Sequence, residues 1–347
     1  MKTRILEDTE EGIREAAGIL RTGGIVAFPT ETVYGLGADA FNADAVRRVY
    51  AAKGRPADNP SIVHIARASD LGLLTPRVAP DVVRLADAFW PGPLTMIVEK
   101  RAEVPDVTTG GLPSVGVRLP DSEIARALIR AAGTPVAAPS ANPSGRPSPT
   151  TAEHVLADFG VGGPGKPGPY GGKGKPGQSG VDAILAGPDC RIGIESTVVD
   201  MTVTPPQVLR PGFVTAYEIA CVLGDAENAK PDDDGAPKSP GMKYRHYAPE
   251  AEMVVIEGPR AKVESEIARL KSLNEGIGRR VGVLLFEESD YVTAAHEFYA
   301  RLRALDASGA DLILAGALAA ADGAAGGLGF AVMNRMMRAA GHNIVQV

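Results

Sequence analysis

The stretch Gly24–Ile65 constrains the fold of this chain more than any other. It begins with the apolar run Ile25–Phe28, which has the length and character of a buried strand, and continues into a polar Pro-Thr-Glu-Thr turn. After a glycine-punctuated loop, a predicted helix ends on the cationic corner Lys53–Pro56, and a second strand begins near Ser61. Polar groups therefore stand at the ends of regular elements, which is where α/β proteins place their binding sites.

The remainder of the chain alternates short apolar runs with helical patterns, and this alternation predicts α/β domains. Further strands are predicted at Ser61–Ala66, Leu94–Val98, Val115–Leu119, Pro135–Ala138, Val181–Leu185, Glu195–Met201, Gln207–Leu209, Met253–Ile256, Val281–Phe286 and Asp311–Ala315. Helices are predicted at residues 8–21, from Asn42 or Asp44 to Lys53, and at Asp81–Ala88, Ser122–Ala132, Thr151–Phe159, Thr215–Leu223, Arg260–Leu273, Ala294–Ala304 and Phe330–Ala339.

Two breaks in composition divide the chain into domains. Residues 160–180 are rich in glycine and proline and include three lysines, so we expect a mobile surface loop there. Residues 224–250 contain the acidic run Asp232–Asp234 and are interpreted as a solvated linker or a possible lid over a bound ligand. We therefore expect a first domain over residues 1–223 and a smaller α/β domain with a parallel sheet over residues 251–347.

Composition excludes several classes of protein. The 347 residues are 44% hydrophobic and 22% charged, which is an ordinary globular balance. A net charge of −6 and an aromatic content of 5% argue against a basic field or a base-stacking surface, so at most weak contact with nucleic acid is expected. The sequence has no signal-peptide pattern and no run near the roughly 18 apolar residues of a membrane span, so we expect a cytoplasmic protein without membrane contact.

The sequence also lacks the common catalytic and metal-binding motifs. It contains no Walker A loop, no HExxH pattern and no GxSxG elbow. Its two cysteines, Cys190 and Cys221, predict neither a disulfide framework nor a metal site, and we expect both to be buried, reduced thiols. The segment Gly35–Ala40 has two glycines of a dinucleotide fingerprint but lacks the third, and we interpret it as a strand-to-helix turn that requires small residues.

The pair Lys53 and Arg55, at the end of a predicted helix, has two interpretations. It is either a solvated helix C-terminus, where cations are favourable, or a clamp for the phosphate of a nucleotide. The prolines of the following turn, Pro56 and Pro60, stiffen the backbone and favour the clamp.

Further charged groups stand at strand ends. Arg118 lies in an otherwise apolar strand and needs a partner from the protein or from a ligand, and Arg210 follows an apolar pair in the same way. Together with Lys53 and Arg55, these arginines suggest a site for several negative charges.

The polar residues near these charges remain open to two interpretations. Ser140 and Asn142 follow a predicted strand and form either a generic turn or part of the site. His64 is either a satisfied core histidine or a site residue, and Thr30 and Thr32 serve equally well as turn caps.

Five motifs together resemble the YrdC-like threonylcarbamoyl-AMP synthases. They are PTETVYGLG (29–37), KGRPADNPSIVHI (53–65), PSAN (139–142), IEST (194–197) and LRPG (209–212). The segment SPGMKYRHYAP (239–249), followed by an α/β domain, is similar to the longer, two-domain form of that family. The resemblance implies a YrdC-like twisted mixed-sheet α/β domain followed by a Rossmann-like parallel α/β domain.

The resemblance also implies a reaction. L-threonine, bicarbonate and ATP would give L-threonylcarbamoyl adenylate and pyrophosphate, for N6-threonylcarbamoyladenosine modification next to the anticodon of ANN-decoding tRNAs. A separate tRNA threonylcarbamoyl transferase would receive the product, so this chain need make at most weak tRNA contact. Mg²⁺ is expected to travel with the phosphates of ATP rather than to sit in a protein cage.

By motif position, the resemblance assigns roles to individual residues. The expected catalytic residues are Lys53, Arg55, Ser140 and Asn142. The expected L-threonine-binding residues are Thr32, His64, Arg118 and Ser196. The expected ATP-binding residues are Arg55, Asn59, Ser114, Ser140, Ser148, Arg210 and Tyr244.

Two other functions remain open from the sequence. The same patch of residues would suit a non-catalytic module that binds RNA or a nucleotide. A carbamoyl-adenylate enzyme of the hydrogenase-maturation type would require appended acylphosphatase or zinc-finger regions, and two cysteines are too few for the latter.

Overall fold

The computed structural model describes residues 3–160, 180–228, 246–318 and 327–347. The predicted ATP-binding residue Tyr244, nearly all of the 160–180 loop and most of the 224–250 linker lie outside the described residues. The described chain forms a large mixed sheet followed by a smaller parallel sheet, with helices packed on both. The predicted fold class is therefore confirmed.

Eleven strands of the described chain form the first sheet, in the order β1-β8-β2-β3-β7-β4-β6-β5-β9-β10-β11. Both parallel and antiparallel pairs occur; β4 and β6 are parallel, for example, whereas β5 and β6 are antiparallel. The strands are β1 (Arg4–Glu7), β2 (Val26–Phe28), β3 (Gly35–Asp39), β4 (Ile62–His64), β5 (Leu94–Glu99), β6 (Ser114–Arg118), β7 (Val136–Ala137), β8 (Ala183–Ala186), β9 (Thr197–Asp200), β10 (Gln207–Arg210) and β11 (Glu227–Asn228).

Seven α-helices of the described chain accompany this sheet, and the caps of α2 follow the sequence signals. Asn42 Oδ1 accepts hydrogen bonds from the backbone at the start of α2, and Gly54 ends that helix with a left-handed φ of 60°. The helices are α1 (Glu10–Arg21), α2 (Ala43–Lys53), α3 (Pro80–Phe89), α4 (Asp106–Thr109), α5 (Glu123–Ala132), α6 (Ala152–Phe159) and α7 (Ala216–Leu223), with a 3₁₀ turn at Ala68–Leu73.

The second sheet is parallel throughout and has the order β13-β14-β12-β15. Its strands are β12 (Glu252–Glu257), β13 (Val281–Leu284), β14 (Leu312–Gly316) and β15 (Ile344–Gln346), and its helices are α8 (Arg260–Gly276), α9 (Tyr291–Ala307) and α10 (Leu328–Ala339). Parallel strands joined through helices match the predicted Rossmann-like arrangement.

The hydrophobic core of the second sheet extends into the first domain. Val33, Ile192 and Ile194 pack in the same cluster as residues of the second domain such as Val255 and Phe298. The two domains therefore share buried apolar surface, which holds α9 against the segment that precedes β9.

The interpretation of Gly35–Ala40 as a strand-to-helix turn is wrong, because Gly35–Asp39 forms β3, an interior strand of the sheet. A Cβ on Gly37 would lie 2.6 Å from Val136 Cγ1 and 2.7 Å from Phe28 Cε1. Glycine is needed here because neighbouring side chains cross the strand, and not because the chain turns. The edge strands β1 and β15, which are short and partly exposed, were also not predicted.

The expectation of two buried thiols holds for one cysteine. Cys190 is buried, but Cys221 is exposed on α7. Its position on the solvent side of that helix accounts for the difference. No helix in the described ranges is long and apolar enough to cross a membrane.

We predict that Gly37→Ala lowers the free energy of unfolding by about 1–3 kcal/mol, because the added methyl overpacks a filled position. Gly72→Ala is the matched control, since no heavy atom lies within 4 Å of a Cβ built there. It should change stability by less than about 0.5 kcal/mol. Chemical denaturation measures both, and equal effects would contradict this reading of β3.

Candidate active site

A cavity opens where the ends of several strands of the first sheet meet His246 and Tyr247, which directly precede the second domain. Its empty volume is about 590 Å³ when the open mouth is included. It is lined by Thr30, Thr32, Val33, Gly35, Arg55, Ile62, His64, Arg118, Ala138, Pro139, Ser140, Glu195, Ser196, Arg210, His246 and Tyr247.

Three guanidinium groups converge on this cavity from three different elements. Arg55 follows α2, Arg118 ends β6 and Arg210 ends β10. Burial lowers the pKa of Arg55 and of Arg210, although both remain cationic. An anion bound among these groups would offset the loss of water around them, so the cavity suits a ligand with several negative charges.

The turn after α2 holds Arg55 in place. Arg55 donates from Nε to the Asn59 carbonyl at 3.1 Å, and from Nη2 to Asn59 Oδ1 at 2.8 Å and to the Pro60 carbonyl at 2.7 Å. Asn59 is buried and does not line the cavity. Asn59 therefore acts on the site indirectly, because it fixes the orientation of Arg55.

Lys53 lies behind the cavity wall. Its side chain is buried, and Nζ donates hydrogen bonds to the carbonyls of Ser140 and Asn142. Burial, assisted by the nearby charge of Arg55, holds the pKa of Lys53 well below its usual value. Of the predicted cationic pair, Arg55 faces the cavity, and Lys53 ties the Ser140–Asn142 loop to the end of α2.

That loop places Ser140 in the cavity wall. Ser140 forms an isolated antiparallel bridge with Gly35 at the start of β3. The Asn142 side chain donates to the carbonyls of Pro143 and Arg146, both at 2.9 Å. Asn142 therefore shapes the turn beyond Ser140 and, like Lys53, acts from behind the wall.

Arg118 has a protein partner that the sequence did not identify. Its Nη2 lies 2.7 Å from Glu31 Oε1, in an ion pair whose side chains are only 4% and 1% exposed. Arg118 Nη1 also donates to Thr32 Oγ1 at 2.8 Å, and Nε donates to the Gly92 carbonyl at 3.2 Å. These contacts hold the guanidinium in one orientation at the cavity.

His64 lies beside Arg118, because the two residues are directly paired in the parallel ladder of β4 and β6. His64 is buried and lines the cavity, and its Nδ1 has no hydrogen-bond partner among the described residues. Burial, together with the charge of Arg118, lowers the pKa of His64 to about 3. The imidazole is therefore neutral at pH 7.

The opposite wall is built from the segment before β9 and the end of β10. Arg210 donates to the Ser196 carbonyl at 3.0 Å and to Ser196 Oγ at 3.1 Å, while Thr95 and Ser196 hydroxyls lie 2.8 Å apart. The neighbouring Glu195 accepts a 2.6 Å hydrogen bond from Ser148, which is fully buried. Ser148 therefore contacts a residue of the cavity wall and does not line the cavity itself.

The structure thus separates the predicted site residues into groups. Those that line the cavity are Thr32, Arg55, His64, Arg118, Ser140, Ser196 and Arg210. Those that support the wall from behind are Lys53, Asn59, Asn142 and Ser148. Ser114 starts β6 opposite Glu99 and does not line this cavity.

Two acidic residues of the site were missed from the sequence: Glu31, which pairs with Arg118, and the lining residue Glu195. His246 and Tyr247, which also line the cavity, lie in the 224–250 segment that was predicted to be a linker or a possible lid. Glu31 and Glu195 each carry a charge inside a motif that also supplies a predicted ligand-binding residue. That was an available signal, because an acid among apolar and hydroxyl residues needs a buried partner.

The fold and cavity define a two-domain α/β protein with a cationic cavity whose size and charge suit a small anionic ligand. Residues 18–162 match the family model described as "Telomere recombination" (Sua5_yciO_yrdC), and residues 214–341 match "Threonylcarbamoyl-AMP synthase, C-terminal domain". The threonylcarbamoyl-AMP synthase of Pyrococcus abyssi is 45% identical, over 96% of each chain. That of Bacillus subtilis is 41% identical, over 98% of this chain and 96% of the relative.

Structural comparison agrees with the sequence matches. A crystal structure of P. abyssi Sua5 complexed with L-threonine is similar to this chain with a TM-score of 0.88 at 43% identity, covering 100% of both chains. The chain belongs to the family of two-domain threonylcarbamoyl-AMP synthases, which are adenylate-forming enzymes.

We predict that His64 makes the protein less stable in acid. Because its pKa falls from 6.5 to about 3 on folding, the unfolded chain takes up this proton first as the pH drops below 6.5. The free energy of unfolding should therefore decrease by up to about 1.4 kcal/mol per pH unit between these values. His64→Asn should remove this part of the slope in urea denaturation between pH 7 and pH 4.

His342→Asn is the control, because His342 is exposed and already has the positive φ of 62° that asparagine tolerates. It should leave the slope unchanged. A His64→Asn variant with the slope of the parent protein would contradict the buried, neutral state of His64.

Proposed function

We propose that this chain condenses L-threonine, bicarbonate and ATP into L-threonylcarbamoyl adenylate and pyrophosphate, which supplies the modification next to the anticodon of ANN-decoding tRNAs. One observation carries the proposal: the guanidinium groups of Arg55, Arg118 and Arg210 converge on one cavity with the hydroxyl groups of Ser140 and Ser196. Membership of the threonylcarbamoyl-AMP synthase family supports it.

The chemistry requires positioning and charge neutralisation. The deprotonated amine of threonine adds to the bicarbonate carbon, and loss of water leaves a carbamate. A carbamate oxygen then attacks the α-phosphorus of ATP and pyrophosphate departs, so no covalent enzyme intermediate is needed. Because both reacting groups are anionic, fixed positive charges that bring them together lower the barrier.

The threonine end of the site is assigned to Thr32, His64, Arg118 and Ser196. Arg118 is held by Glu31 and Thr32 in a fixed orientation, which suits paired hydrogen bonds to a carboxylate. The L-threonine complex of the P. abyssi relative supports threonine binding in this fold.

The nucleotide end is assigned to Arg55, Ser140 and Arg210, which face the cavity. Lys53 and Asn142 act from behind by fixing the loop that carries Ser140, Asn59 fixes Arg55, and Ser148 acts through Glu195. Contacts of Ser114 and Tyr244 with ATP stay predictions.

The cavity residues do not fit a protein-held Mg²⁺ ion. In the described part of the chain, no group of three or more His, Cys, Asp or Glu side chains could hold a metal. Glu195, the carboxylate that lines the cavity, already accepts hydrogen bonds from Ser148, Tyr299 and Arg335. We expect Mg²⁺ to arrive bound to the ATP phosphates, and no step here depends on it.

Incubation with ATP, bicarbonate and labelled threonine tests the proposal. Pyrophosphate should be released only when threonine and bicarbonate are both present, and the label should appear in an adenylate that a separate tRNA threonylcarbamoyl transferase consumes. Binding of tRNA or nucleotide without threonine-dependent pyrophosphate release would instead favour a non-catalytic binding module.

Arg55→Ala and Lys53→Ala should each abolish adenylate formation in that assay, but for different reasons. Arg55→Ala removes a charge from the cavity, whereas Lys53→Ala leaves two buried carbonyls without their donor and should also lower the melting temperature. The exposed Arg47, on the same helix, provides the control variant Arg47→Ala. A folded, active Lys53→Ala/Arg55→Ala double variant would refute both assignments.

Arg118→Lys should raise KM for threonine by about 10- to 100-fold, since lysine cannot make the paired contact with a carboxylate. KM for ATP in the same variant is the internal control and should change little. A larger effect on ATP than on threonine would place the carboxylate elsewhere in the cavity.

A further inference from the structure

A carboxylate in the cavity wall is held by the second domain. Arg335 of α10 donates from Nε to Glu195 Oε2 at 3.2 Å, and Tyr299 OH of α9 lies 3.0 and 2.9 Å from the two oxygens of the same carboxylate. Arg335 is fully buried, and Glu195 is 7% exposed.

Arg335 also contacts the backbone on both sides of the nucleotide wall. Its Nη2 donates to the Glu195 carbonyl at 3.4 Å, and its Nη1 donates to the carbonyl of Pro211. Pro211 directly follows Arg210, and Glu195 directly precedes Ser196. A single side chain of the second domain therefore contacts both the segment that carries Ser196 and the segment that carries Arg210.

The electrostatics give this contact a specific consequence. Burial alone would raise the pKa of Glu195, but Arg335, Arg210 and the hydrogen bond from Ser148 together hold it below its usual value. Glu195 is therefore ionised at the wall of the cavity in which the proposed function places the ATP phosphates. Without Arg335, its charge would repel the phosphates and attract Arg210 away from them.

Packing keeps this arrangement in place. Gly193, with a φ of +83°, lies so close to α9 that a Cβ there would be 2.4 Å from the His296 carbonyl oxygen. Arg303 of α9 donates to the carbonyls of Pro147 and Ser148 and pairs with Asp158, which positions the Ser148 segment as well. The wall is thus fixed from two helices of the second domain.

We propose that Arg335 and Tyr299 are positioning residues for ATP: they neutralise and orient Glu195, so that Arg210 stays available to the phosphates. This inference rests on the proposed function and gives the second domain a defined task in it. Neither residue touches the reacting atoms; both act through Glu195.

Steady-state kinetics of the full-length chain test this inference. Arg335→Met should raise KM for ATP by about tenfold or more while KM for threonine changes less than about twofold, because an uncompensated carboxylate would face the phosphates. Arg335→Lys, which restores a positive charge, should recover part of the loss. Arg269→Met, at an exposed ion pair on α8, is the control and should behave like the parent protein.

The decisive variant is the double substitution Glu195→Gln/Arg335→Met. Removal of the carboxylate charge should relieve the repulsion, so the double variant should bind ATP more tightly than Arg335→Met alone. A purely structural role predicts the reverse, with additive or worse losses and a reduced active fraction at unchanged KM. Equal or weaker ATP binding by the folded double variant would overturn the inference.

Direct titration with a non-hydrolysable ATP analogue separates this inference from the proposed function. If the parent chain binds the analogue but forms no adenylate, the proposed function fails, while the order of affinities among the variants still decides the role of Arg335. If all variants bind the analogue as the parent does, the positioning role is refuted even when adenylate formation is intact. Circular dichroism melting of each variant confirms that it is folded.

Discussion

Three guanidinium groups line one cavity and a fourth, that of Arg335, lies behind its wall. The compensation of these buried charges organises the rest of the structure. Arg118 is paired with Glu31, and Arg335 is paired with Glu195. Arg55 is compensated differently, by the carbonyl and amide oxygens of its own turn. Because a buried cation without partners is strongly unfavourable, each of these groups fixes the loop that supplies its acceptors. The walls of the cavity are therefore ordered before a ligand arrives.

Part of the site lies one layer behind the ligand. Lys53, Asn59 and Ser148 are buried and touch residues of the wall instead of lining the cavity. A group in this layer fixes the direction of a wall residue, and reactions that depend on positioning are sensitive to such small displacements. This explains how one motif can contain residues that contact a ligand and residues that do not.

The second domain takes part in the site and is not merely appended to it. Ile192 and Ile194 pack into its core, and the next residue, Glu195, is bonded to Tyr299 and Arg335. Apolar and polar contacts with the second domain therefore lie next to each other along one short segment. Separation of the domains would expose apolar surface and leave Glu195 and Arg335 unpaired, so the two domains are expected to act as a unit.

The sequence by itself determined which residues could bind an anionic ligand and which strands and helices carry those residues. Apolar runs located most strands, and capping residues located α2 and α5. Cationic side chains at the ends of strands and of α2 indicated an anion site. The order of the five motifs identified the family. These features are local, so periodicity and residue type are sufficient to find them.

Only the tertiary structure decided which groups face the cavity and which charges are paired. Glu31 meets Arg118 because strands that are distant in sequence are neighbours in the order β3-β7-β4-β6. Glu195 meets Arg335 because helix α10 of the second domain packs against the segment that precedes β9. The same applies to Gly37. Only glycine fits at this position, because the side chains of Phe28 and Val136 on the neighbouring strands fill the space that a Cβ would occupy. No local pattern encodes such pairings, since they depend on how the strands are ordered and on which partner can satisfy a buried charge.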